Sequence, residues 1–158
     1  VNILVLGLGN TLLTDEGVGV AVASRVRTAL PDTDGIEVLD GGTLSFTLAE
    51  PIESADALVV TDAAQLYSPP GTIQVMRQEA MDHFVAYGPQ QSVHEVGLSD
   101  LLTIARLAER LPAQRALVGI QPEILDWGDH LTPAVEAAVE TAKDRVLQLI
   151  EEWRYVKT

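Results

Sequence analysis

Cysteine is absent from this 158-residue chain. Its absence excludes a thiol nucleophile, thiolate metal ligands and disulfides, and it fits a reducing compartment. Cations are scarce, with 10 Lys and Arg against 23 Asp and Glu and a formal net charge of −13. Nucleic acid and anionic membrane are recognised through basic patches, so neither is an expected partner. A cationic site or a basic partner segment is compatible with such a surface. Long hydrophobic runs are also missing: the apolar stretches end well short of the roughly 20 residues that span a bilayer. No basic, apolar, small-residue signal pattern opens the chain, where Ile3–Leu6 reads as a strand. There is no Gly-x-Ser-x-Gly nucleophile elbow, and there are no repeats, linkers or low-complexity segments. What remains is a chain with 47% apolar residues, long enough to bury a substantial core. The expectation is one domain over residues 1–158, monomeric and cytoplasmic.

The apolar periodicity alternates between two kinds. NILVL at 2–6 is a short β-type run stopped by glycines. From Glu16 to Leu30 the pattern is helical, with Val18, Val22, Val26 and Leu30 four apart on one face. Ile36–Asp40 reads as a second strand, stopped by Gly41-Gly42. Leu44–Glu50 reads as a short helix ended by Pro51, and Ala57–Val60 as a third strand leading into Thr61 and Asp62. After Pro69-Pro70-Gly71, Thr72–Met76 alternates like an edge strand. Residues 77–97 show no clear period and read as a long loop of the functional kind. Ser99 caps the next predicted helix, which runs to Arg110 with Asp100 in its first turn. Ala116–Ile120 is a further strand, and Thr132-Pro133 opens a last helix with a Thr cap and Pro at its first position. Strands alternating with helices predict an α/β three-layer sandwich. Its twisted, mostly parallel sheet has about five strands, with helices on both faces. The Thr72–Met76 strand is expected to run antiparallel, because its connection from the third strand is too short for a helical crossover.

In such sheets ligands bind beyond the carboxyl ends of the strands. That rule selects Asn10, Asp15 and Glu16 after the first strand, Asp40 after the second, Asp62 after the third, and His94 in the long loop. The opening Gly7-Leu8-Gly9 invites a dinucleotide reading. The third small residue of that fingerprint is missing, however, because Leu12 stands in its place. Asp15 and Glu16 would also compete with a pyrophosphate for the positive end of the helix. A metal reading uses the acids directly. Glu16, Asp62 and His94 supply two oxygens and one imidazole nitrogen, a donor set suited to nickel, zinc or another divalent ion, with open positions left over. A His ligand must be neutral, so affinity is expected to fall below about pH 6. Ser45 and Ser92 lack a visible His–acid pattern, and His83 and His130 read as surface residues. Asp40 and Asp62, if close, are a carboxylate pair able to share a proton and activate water.

Taken together, GLGNTLLTDEGVGV at 7–20, DGGT at 40–43, VVTDA at 59–63, HEVGLSDLL at 94–102 and GIQPE at 119–123 resemble the hydrogenase maturation proteases. The resemblance covers nearly the whole chain. It implies an endopeptidase that trims the C-terminal extension from the large-subunit precursor of a nickel–iron hydrogenase. By the same resemblance Glu16, Asp62 and His94 are metal-contacting positions for nickel already carried by the precursor, with another divalent cation able to occupy them in the free protein. Asp40 matches an acid near the cleavage site. The resemblance leaves the mechanism open: Asp40, with or without Asp62, activates water, or nickel polarises the scissile carbonyl, or nickel serves recognition only. A metal-sensing chaperone that holds the precursor without cutting it is the alternative.

Overall fold

In the computed structural model, residues 1–30, 34–42, 44–89 and 97–155 are described. β1 (Ile3–Leu8) is buried along its whole length, as a strand covered on both faces must be. It is flanked by β2 (Ile36–Gly42) on one side and β3 (Ala57–Ala63) on the other, both parallel to it. β5 (Gln114–Ile120) continues the parallel sheet beside β3, and β4 (Ile73–Arg77) closes the edge antiparallel to β5. The strand order is β2-β1-β3-β5-β4. The expected antiparallel strand is therefore present, and its pairing reflects the short turn through Pro69-Pro70-Gly71.

Alternate residues of each central strand face opposite layers. Ile3, Val5, Val59 and Val118 pack against α1 (Val18–Ala29) and α5 (Pro133–Arg154). Leu4, Leu6, Leu58, Val60 and Leu117 pack against α2 (Ala49–Ser54), α3 (Glu79–Tyr87) and α4 (Leu98–Leu107). The fold is the three-layer sandwich that the alternation of elements predicts. Val18, Val22 and Val26 are fully buried, so the four-residue spacing reports the true inner face of α1.

Several local expectations are corrected. Residues 77–97 are not one long loop, because α3 occupies Glu79–Tyr87. Its apolar signal is only Met81, Phe84 and Val85, and Met81 alone is fully buried. The helix expected at Leu44–Glu50 is displaced. A 3₁₀ turn at Phe46–Leu48 leads into α2, where Pro51 sits in the first turn instead of ending the helix. There the missing N–H costs nothing, since first-turn amides have no intrahelical acceptor. α4 starts at Leu98, and Ser99 does not cap it; the Asp100 carboxylate accepts from the Gly97 amide at 2.9 Å. α1 likewise starts at Val18, after a separate 3₁₀ turn at Thr14–Gly17 that carries both acids.

Candidate active site at the carboxyl rim of the sheet

The rim is built by close backbone contacts that only glycine permits. Gly9 has φ +129°, and a Cβ there would lie 1.9 Å from the Glu16 carbonyl oxygen. The bare turn lets the 3₁₀ segment fold back over the end of β1. Gly19, in the first turn of α1, is pressed equally hard: its Cβ would meet the carbonyl oxygens of Thr61 and Leu8 at 2.2 and 2.4 Å. The buried Thr61 hydroxyl fastens the same contact by donating to the Gly19 carbonyl at 2.7 Å. The glycines thus serve the chain's own packing.

The two adjacent acids have different environments. Asp15 is completely buried. Its Oδ2 accepts from the amides of Glu123 and Ile124 at 2.9 and 3.0 Å and from the Thr132 hydroxyl at 2.8 Å, while its Oδ1 accepts from the Thr132 amide at 2.8 Å. Burial alone would raise its pKa, but these hydrogen bonds outweigh burial and hold the carboxyl below its ordinary range. Asp15 is therefore a structural clamp between the 3₁₀ turn and the segment after β5. Thr132 spends its hydroxyl on this clamp and not on capping α5. Nothing in the spacing of the sequence distinguishes Asp15 from Glu16, because the partners of Asp15 lie more than a hundred residues away.

Glu16 is only 4% exposed, and none of the described residues donates a hydrogen bond to its carboxylate. Asp62, half-buried at the end of β3, lies within its electrostatic reach. The Asp62 pKa is pushed up to about 7, chiefly by burial and further by the Glu16 charge, against the opposing pull of the Ala63 amide. Among the described residues no Lys, Arg or His pairs with either acid, and ionising both in so buried a place is costly.

Asp40 stands apart from them. It is exposed at the end of β2, with its Oδ1 accepting from the Gly42 amide at 2.8 Å. β1 separates β2 from β3, so Asp40 and Asp62 are about 10 Å apart across two strand spacings. Gly7 pairs with Asp40 on one side and with Thr61 on the other. Asp40 and Asp62 are thus out of step and project to opposite faces. The arrangement does not bring Asp40 and Asp62 into a proton-sharing pair; the acid that Asp62 meets is Glu16. His94 lies outside the described residues. Among the described residues no three His, Asp or Glu side chains form a cluster able to hold a metal ion. His83 stacks against Tyr87 with centroids 5.1 Å apart, and His130 pairs with Asp129 on the exposed surface, so neither joins the site.

The family model for hydrogenase maturation proteases (HycI) matches residues 20–149. The chain belongs to the hydrogenase maturation protease family. Relatives agree over almost the full length. The chain is 37% identical over 151 residues to the hydrogenase 2 maturation protease of Escherichia coli strain K12, covering 95% of this chain and 91% of that one. It is 35% identical over 152 residues to the hydrogenase expression/formation protein HoxM of Azotobacter vinelandii, covering 96% and 73%. Among solved structures, the hydrogenase maturating endopeptidase HybD from E. coli superposes with a TM-score of 0.88 at 37% identity, covering 96% of this chain and 93% of that one. HybD from Thermococcus kodakarensis gives 0.79 at 28% identity, covering 94% and 99%. For a maturation protease of this family, the acid-rich rim is the natural place to look for chemistry. Among the described residues no helix is long and apolar enough to cross a membrane.

Proposed function

We propose that this maturation protease is a monomeric cytoplasmic endopeptidase. In this reading it removes the C-terminal extension of a nickel–iron hydrogenase large-subunit precursor, with Glu16, Asp62 and His94 engaging nickel carried by that precursor. The observation that carries the reading is the juxtaposition of Glu16 and Asp62, a buried acid whose charge opposes ionisation of its neighbour. A dication offsets that charge, and hard oxygen donors with one imidazole suit nickel. The protein gives up little to form such a site, since Glu16 is already oriented by the Gly9 turn and by its clamped neighbour Asp15. Nickel here is part of the substrate, and its role is recognition.

Asp40 is the general base in this scheme. It ends the strand next to β1 at the same carboxyl rim, so in this scheme the precursor chain crosses the rim from the nickel contact to the base. One carboxylate oxygen is held by the Gly42 amide, and the other takes a proton from water. The water oxygen then bonds to the carbonyl carbon, the carbon–nitrogen bond breaks, and the departing nitrogen receives the proton, giving a new C-terminal carboxylate and an amine.

The test is intact-mass analysis of a nickel-loaded precursor before and after incubation. The expected result is loss of a single C-terminal peptide with the wild type. Asp40→Asn is expected to slow cleavage about 10²-fold or more, and His94→Ala is expected to lose discrimination between nickel-loaded and nickel-free precursor. A precursor that stays bound at unchanged mass identifies a chaperone instead. Full activity in Asp40→Asn removes Asp40 as the base.

A further inference from the structure

The chain has two Phe, two Trp and three Tyr. Of these, only Phe84 and Trp153 pack into the core, while Trp127 is 80% exposed. Aromatic residues normally supply burial, so leaving most of so small a set in water calls for a reason. Trp127 is not alone at its position. Leu12 and Ile124 are 56% and 43% exposed, and hydrogen bonds join their backbones into one surface. The Gly128 amide donates to the Leu12 carbonyl at 3.0 Å, the Thr14 amide to Gly128 at 2.9 Å, and the Asp15 amide to Ile124 at 3.0 Å. The Asp15 carboxylate clamps the same two segments from below. This apolar patch is therefore held in one shape, and Ile124 is hydrogen-bonded to Asp15, the chain neighbour of Glu16.

The charge at this end of the sheet is one-sided. The segments that follow the parallel strands, residues 8–17, 40–48, 62–72 and 121–132, each contain acid, and none contains Lys or Arg. A partner that fits must offer apolar side chains for the patch and cations for its surroundings. We propose that Leu12, Ile124 and Trp127 form the surface on which the precursor docks. The segment beside the scissile bond places apolar side chains on this patch and basic side chains against the acidic rim. The proposal rests on the reading of this protein as a precursor-cutting endopeptidase, and it adds the surface and the chemistry that select the segment to be cut.

The experiment compares wild type with Trp127→Ser, the double variant Leu12→Ser/Trp127→Ser, and a control, Leu107→Ser, which removes an equally exposed side chain at the end of α4. Cleavage of the large-subunit precursor is measured at varied precursor concentration and salt. The expected result is a KM raised about tenfold or more in the double variant, with kcat within about twofold, melting temperature unchanged, and the control like wild type. A KM that rises with salt in the wild type supports the cationic half of the proposal. Wild-type KM in the double variant, or a loss confined to kcat, overturns the docking surface. So does a wild-type dimer in solution that Trp127→Ser dissolves, because the patch would then be covered by a second copy.

Binding is read separately by tryptophan fluorescence, using a Trp-free synthetic peptide spanning the cleavage segment. Trp153 is only 1% exposed, so a blue shift on peptide addition that disappears in Trp127→Ser reports burial of Trp127. If the wild type cuts nothing, the endopeptidase reading fails on its own. The peptide titration still decides the surface: the shift sustains it, and no shift overturns it.

Discussion

Gly9→Ala is expected to destabilise the protein by about 4 kcal/mol or more, an exceptional cost for one methyl group. Two effects add. The backbone at Gly9 has φ +129°, which an L side chain rarely adopts, and the new Cβ would sit 1.9 Å from the Glu16 carbonyl oxygen. Neither can be relieved by a rotamer change, because the obstacle is backbone. The 3₁₀ turn would have to lift from β1, taking Glu16 with it. For a domain whose whole stability is about 5–15 kcal/mol, the variant should unfold at a much lower urea concentration, and any folded fraction should cleave precursor poorly. A Gly9→Ala protein with the wild-type urea midpoint would show that the turn is not packed as described.

Asp15→Ala is expected to cost about 3–5 kcal/mol, comparable to breaking a buried hydrogen-bond network. The substitution leaves the amides of Glu123, Ile124 and Thr132 and the Thr132 hydroxyl without their acceptor, in a region that water reaches poorly. Asp15→Asn keeps the shape but offers one acceptor oxygen where Asp15 uses two, so it should fall between the two proteins. The pH dependence has a definite sign. The native pKa of Asp15 lies below its unfolded value, so its contribution is present above about pH 4 and is lost as pH falls through the native pKa. The gap between wild type and Asp15→Asn should therefore narrow in acid, measured by urea unfolding between pH 7 and pH 3. A constant gap would mean that the carboxylate charge contributes nothing.

The legible part of this protein is the part decided by local period. β1 announces itself as an unbroken apolar run, buried throughout, and α1 and α5 as residues recurring three or four positions apart, where burial follows the period closely. α3 escapes notice because it is short and fully buries only Met81. Pro51 misleads because a proline reads as a stop, yet in the first turn of α2 it is harmless. At the site, the rule that ligands gather at strand ends selects Glu16 and Asp62, and the Glu16 charge does act on Asp62. It errs with Asp40 and Asp62, because the order of strands is not written in any one strand. Only once β1 is known to lie between β2 and β3 does the pair separate. The division of labour between Asp15 and Glu16 is set by Glu123, Ile124 and Thr132. Adjacent acids at the start of a helix look alike until the distant segment that satisfies one of them is in place.

Glu16 and Asp62 are proposed to grip one divalent cation together, and calorimetric titration of the purified protein with nickel decides whether they do. The expected result is a single site whose affinity climbs as pH rises through about 7, where Asp62 gives up its proton. That site should be lost in both Glu16→Gln and Asp62→Asn while each variant keeps its fold. Nickel binding that is unchanged in either folded variant would contradict the account.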